Sequence, residues 1–89
     1  MAHASQQELT SKVNDAMKQV EIGAVYKHYR DSSMHYKVLA IGFIEETDTI
    51  CVIYQALYAE KIIWVRPFNL WLSKAQTEEG EVSRFQKIE

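Results

Sequence analysis

The stretch V-I-Y-Q-A-L-Y, Val52–Tyr58, followed at a short interval by W-V-R-P-F, Trp64–Phe68, decides how this chain is read. Side chains alternate along an extended backbone, so Val52, Tyr54, Ala56 and Tyr58 fall on one face and Ile53, Gln55 and Leu57 on the other. Ile62, Trp64 and Arg66 alternate in the same way against Ile63 and Val65. Ala59-Glu60-Lys61 between the two runs is a turn, which makes them an antiparallel hairpin. If Tyr58 pairs with Ile62, then Tyr54, Trp64 and Arg66 share a face, with aromatic rings beside a guanidinium. Ile53, Leu57, Ile63 and Val65 are then the expected core.

Outward from this hairpin, further strands are expected at Ala24–Arg30 and His35–Ile44, with Asp31-Ser32-Ser33 as the turn between them. The second of these carries apolar residues on both faces: Tyr36, Val38 and Ala40 on one, Leu39, Ile41 and Phe43 on the other. A strand that curves through a small barrel has that pattern. Glu45–Asp48 is too short for a crossover helix, so the next strand, Ile50–Tyr58, pairs antiparallel. Pro67 stops the ladder and starts a short helical turn through Phe68, Leu70, Trp71 and Leu72. Thr77–Glu81 reads as an acidic loop and Val82–Ile88 as a closing strand.

The chain begins differently. Ser5 and Glu8 form a capping-box pattern, and Leu9, Val13, Ala16, Met17 and Val20 then recur at helical spacing. A helix is expected from Gln6 to Val20, with its stripe facing the body of the domain or a second copy of the chain. The expected organisation is a helical segment over residues 1–22 and a β domain over 23–89. The fold class is mainly β: a small, strongly bent antiparallel partial barrel of about five strands behind one α-helix.

Eighty-nine residues fit one small domain, and 47% hydrophobic with 11% aromatic residues suffice for a packed core. Net charge of −2 and a pI of about 5.9 disfavour a nucleic-acid backbone as partner. Lys27, Arg30, Lys37, Lys61 and Arg66 nevertheless all lie in the strand-rich part. The one cysteine, Cys51, has no partner for an internal disulfide and sits among Ile50, Val52 and Ile53. That setting favours a reducing compartment and a buried thiol. With no signal-peptide pattern at the start and no apolar run of membrane-spanning length, the expected location is the cytoplasm.

V-Y-K-H-Y-R in the first strand, Y-K-V-L-A in the second, V-I-Y-Q-A-L-Y in the third, W-V-R-P-F in the fourth and R-F near the end resemble a family of small bacterial domains of unknown function. Its pattern runs Tyr-x-His-Tyr-Lys-Gly, Val-Val-Tyr-Gln-Ala-Leu-Tyr-Gly, Trp-Val-Arg-Pro, then Arg-Phe. The match covers about Gly23 to Ile88 and implies an SH3-like barrel, without implying an activity. Asp31 and Ala59 stand where the family pattern has glycine. Aspartate tolerates positive φ better than alanine, so the Ala59 turn is expected to have another geometry.

The candidate ligand-binding residues are Tyr26, His28, Tyr29, Tyr54, Gln55, Tyr58, Trp64 and Arg66. Aromatic rings next to a guanidinium bind extended peptides, stacked bases or cations. The same residues can equally be half-buried core, with Arg66 laid over a ring. His28 and His35 bracket the first turn, but no third ligand stands at a usual spacing, so no metal site is expected. His3 lies in the start of the chain and carries no signal. No phosphate loop, nucleophile elbow or zincin motif occurs, and neither a cofactor nor catalysis is expected. A non-catalytic module binding a peptide or protein segment is the leading expectation; nucleotide or single-stranded nucleic-acid binding and homo-oligomeric assembly are the alternatives.

Overall fold

The computed structural model describes residues 3–88; Met1, Ala2 and Glu89, at the ends of the expected segments, lie outside the described residues. Helix α1 spans Gln6–Met17, shorter at its end than the apolar stripe suggested. Ser5 caps it: its hydroxyl oxygen accepts the Glu8 amide at 3.1 Å, and the Glu8 carboxylate returns to the Ser5 hydroxyl at 3.3 Å rather than to its backbone N–H. Beyond the helix, Val20 is fully buried in the core cluster and Ala16 is buried beside it, while Met17 is half exposed. The stripe therefore packs on its own domain. His3 is not idle, because its Nδ1 lies 2.6 Å from the Asp48 carboxylate, which also accepts the Ala4 amide at 2.9 Å.

Four strands run as a meander: β1 Val25–His28, β2 Asp31–Ile44, β3 Thr49–Ala56 and β4 Ile63–Pro67. A one-turn helix, α2 Phe68–Trp71, leads to the hairpin β5 Lys74–Thr77 and β6 Gly80–Ser83, and β7 Phe85–Lys87 returns to pair with β1. The main sheet has the order β4-β3-β2-β1-β7, antiparallel throughout, with β5 and β6 forming a separate two-stranded sheet. The expected mainly-β fold with an N-terminal helix is thus what the chain adopts. The sheet bends strongly but stays open, although Phe85 on one edge strand reaches the Arg66 guanidinium on the other at 5.7 Å. The expected acidic loop Thr77–Glu81 is the turn of the β5–β6 hairpin, and the closing strand expected over Val82–Ile88 is divided between β6 and β7.

Three local readings are corrected. The first turn is Tyr29-Arg30, and Asp31–Ser33 is extended; Asp31 instead ties down the Ser33 amide at 2.9 Å and hydroxyl at 2.6 Å. Leu39 is a β-bulge, with Val38 opposite Tyr54 and Ala40 opposite Ile53. One extra residue turns the strand over, so Ile41 and Phe43 join the face of Tyr36 and Val38, and Ala40 leaves it. This is why β2 is apolar on both sides of its alternation. Ala59 adopts φ +51° and Lys61 φ +56°, so the turn takes the left-handed conformation at an alanine after all.

The larger correction concerns which face is buried. β3 and β4 pair Tyr54 with Trp64 and Val52 with Arg66, a register two residues away from a Tyr58–Ile62 pairing. A shift of two preserves the faces, so Tyr54, Trp64 and Arg66 do share one. That face is the core. Val52, Tyr54 and Ala56 are buried, whereas Ile63, Val65 and Leu57 are exposed and Ile53 is only half-buried. The core is an aromatic cluster. Trp71 of α2 stacks on Phe85 with centroids 3.9 Å apart, and meets Tyr54 and Tyr26 edge-on at 4.8 and 5.4 Å. These rings supply the volume that the isoleucines of the other face would have filled.

Candidate binding site

The eight candidate residues separate into four groups. Tyr26 and Tyr54 are core residues: both are buried, and the Tyr26 hydroxyl is satisfied by accepting the Glu21 amide at 3.0 Å. Burial pushes the Tyr54 hydroxyl pKa up, against the opposing pull of the nearby Arg66 charge. Gln55 lies on the opposite face and donates its amide to the Lys61 carbonyl at 3.0 Å, which closes the hairpin loop. Three remain at the surface on one side, His28, Tyr29 and Arg66, and two on another, Tyr58 and Trp64.

Tyr58 and Trp64 line a small cleft of about 110 Å³ with the hairpin loop as its floor. The Tyr58 hydroxyl is 2.7 Å from that of Tyr36, and burial together with this bond holds the Tyr36 hydroxyl proton far above its ordinary range. Next to the cleft runs the edge of the sheet. Ile62, Ile63, Trp64 and Val65 are four consecutive apolar residues with 51, 55, 49 and 57% of their surface exposed. The Ala56 amide donates to the Ile62 carbonyl at 3.0 Å, which marks 56–62 as a hydrogen-bonded pair. In an antiparallel ladder such pairs alternate, so 54–64 and 52–66 are bonded as well. The backbone N–H and C=O groups of Ile63 and Val65 therefore point away from β3 into the open edge. Pro67, which has no N–H, falls at a non-bonded position and disturbs nothing in the ladder.

His28, Tyr29 and Arg66 gather on the other side through Phe85. The His28 and Phe85 rings meet edge-on at 5.3 Å, and His28 lies against Tyr29 at 4.8 Å. Arg30 and Arg84 each hold their guanidinium 5.7 Å from the centre of the Tyr29 ring. Burial, and then the charges of Arg30, Arg84 and Arg66, push the His28 pKa below its usual value. His35, by contrast, pairs with Lys27 on the other face of the sheet, so the two histidines do not converge. Lys27 and Lys37 also face that way, and of the expected basic residues only Arg30 and Arg66 come together here. Arg84 and Phe85 were not singled out as site residues, although the Arg-Phe pair near the end of the chain belongs to the motif pattern and was the available signal.

Cys51 is buried, with its thiol directed at the Thr49 carbonyl at 3.5 Å and its pKa pushed up by desolvation. Among the described residues no helix is long and apolar enough to cross a membrane.

A sequence profile of a protein family of unknown function, DUF1653, matches residues 24–87. The chain belongs to the DUF1653 family. A crystal structure of a protein of this family from Bordetella bronchiseptica is similar to it, with a TM-score of 0.70 and 31% identity over 81% of this chain and 91% of that one. No curated protein matches the chain. The DUF1653 match takes in all of the main sheet, and α1 lies outside it.

Proposed function

We propose that this DUF1653 domain is a non-catalytic binding module that takes up an extended peptide or protein segment as an added strand along β4. One observation carries the reading: Ile62–Val65 is an apolar edge, about half exposed, whose Ile63 and Val65 backbone groups face outward unpaired. An edge of this kind is a template for pairing, and proteins that leave it uncovered usually blunt it with charge or distortion. Here the charged residues sit at its ends, at Lys61 and Arg66, and the middle is bare.

The same geometry supports a choice of ligand. Main-chain hydrogen bonds to Ile63 and Val65 supply affinity without regard to sequence, and alternate side chains supply choice. One set would lie on Ile63 and Val65, and the other on Trp64 and the cleft beside Tyr58. A segment with apolar residues at alternate positions and an acidic residue near either end fits Lys61 and Arg66. Trp64, with Tyr58 beside it, is thus the aromatic contact, and Lys61 the exposed charge next to them.

The test is selection of binders from a displayed library of random twelve-residue peptides, followed by titration of the selected peptide into the domain and into Val65→Pro. Val65→Pro deletes a solvent-facing N–H and leaves the β3 ladder intact, a position where edge strands accept proline. Enriched sequences with apolar alternation, bound by the parent and lost on Val65→Pro with an unchanged circular dichroism spectrum, are the expected result. Binders indifferent to Val65→Pro would overturn it. So would light scattering that shows the edge already occupied by a second copy at micromolar concentration.

A further inference from the structure

All three arginines of the chain, from three separate parts of the fold, lie against the two rings that flank His28: Arg30 and Arg84 at Tyr29 and Arg66 at Phe85, each guanidinium 5.7 Å from the ring centre. Arg30 comes from the β1–β2 turn, Arg66 from β4, and Arg84 from the single residue between β6 and β7. Of the seven lysines, Lys27 and Lys37 face the other side of the sheet, and Lys18 and Lys87 are paired with Asp15 and Glu21. Among the described residues, no carboxylate lies within ion-pair distance of any of the three guanidiniums. Their neutral contacts leave most donors free. Arg30 Nε donates to the Tyr29 hydroxyl at 3.1 Å and Arg84 Nε to the Ser73 hydroxyl at 2.9 Å, while Arg66 Nε is buried with no acceptor.

Three like charges held together in a chain of net charge −2 repel one another, and among the described residues none of them has a carboxylate partner. Guanidinium is also the group suited to forked recognition of an oxyanion, which distinguishes this cluster from a set of solvated lysines. His28 adds a fourth donor. Its Nδ1 accepts the Arg30 amide at 3.2 Å, so in the neutral ring the proton sits on Nε2 and is available to a ligand.

We infer that Arg30, Arg66, Arg84 and His28 form a binding site for the phosphate group of a small phosphorylated molecule. The surroundings limit the ligand to one phosphate group. Tyr29 stands at the rim of a neighbouring cleft of about 410 Å³ whose other walls include Glu78, Glu79 and Gln86. A polyphosphate or a nucleic-acid strand would carry negative charge past those two glutamates. A monophosphate whose remaining part bears hydroxyl or amino groups would present donors to them instead. The site is distinct from the β4 edge and shares with it only Arg66, so either reading can fail without the other.

The experiment is a titration of inorganic phosphate and, separately, of adenosine monophosphate into the full chain at constant ionic strength. It is followed by NMR of the arginine Nε–H and His28 ring signals, with chloride as the control. Saturable shifts of these signals with phosphate are expected, together with tighter binding of the nucleoside monophosphate if the neighbouring cleft is used. Arg30→Gln, on an exposed turn, should weaken binding about tenfold, as loss of a charge-assisted contact does, and Arg84→Gln likewise. Arg84→Lys should recover part of the loss, which a merely structural Arg84 would not do. Chloride-like, non-saturating shifts would overturn the inference. Phosphate binding equal in parent and both glutamine variants would do so too, as would tighter binding of a thymidine oligonucleotide than of either phosphate.

Discussion

Trp71 closes the aromatic core from a helix only four residues long, and replacing it with alanine should remove much of the domain's stability. The indole is 3% exposed, stacked on Phe85 and edge-on to Tyr54 and Tyr26. Truncating a buried tryptophan costs about 3–5 kcal/mol through lost burial and the cavity left behind. Three ring contacts at ~0.5–1.5 kcal/mol each favour the upper end. A one-turn helix has no stability of its own, so α2 would detach from the sheet once its anchor is gone. Against a total of roughly 5–10 kcal/mol for a domain of this size, Trp71→Ala should halve the stability or worse. Urea unfolding followed by circular dichroism would read this as a midpoint lowered by roughly 3 M. Trp64→Ala is the matched control, because its ring is 49% exposed, and it should cost half as much or less. Equal losses in the two variants, or a Trp71→Ala cost below about 1.5 kcal/mol, would refute the assignment of Trp71 as the lid of the core.

Three further outcomes are expected. Ala59→Gly should stabilise the domain by about 0.5 kcal/mol, since relief of an alanine at φ +51° outweighs the added freedom of glycine in the unfolded chain; chemical denaturation would show it. Because the His28 pKa is lowered from 6.5 by burial and then by the arginines, the unfolded chain binds a proton before the folded one does as pH falls. Stability should therefore drop as pH is lowered through about 6.5 toward the folded-state value, and His28→Gln should flatten that part of the pH–stability curve. The Cys51 thiol, buried and shifted upward, should resist iodoacetamide in the native domain and react only on unfolding, as mass spectrometry would report.

The hairpin that organises the chain is legible in the residues, because V-I-Y-Q-A-L-Y and W-V-R-P alternate cleanly around a turn. Periodicity sorts its side chains into two sets but does not say which set turns inward when both are apolar. Here the deciding partners, Trp71, Phe85 and Val20, come from outside the hairpin, and they bury Val52 and Tyr54 while Ile63 and Val65 face outward. Leu39 hides a bulge in a run of β-formers whose alternation looks unbroken. The convergence of Arg30, Arg66 and Arg84 is a product of β7 returning to β1 while the sheet bends its two edges together. No spacing along the chain announces that.

Native-state amide hydrogen exchange along β4 tests the central claim most directly. In the free domain, Trp64 and Arg66, bonded to β3, should exchange slowly, and Ile63 and Val65, facing the open edge, should exchange fast. A library-selected peptide should slow Ile63 and Val65 specifically. Uniform protection of all four amides in the free domain, or slowing that falls elsewhere when the peptide binds, would contradict β4 as the docking edge.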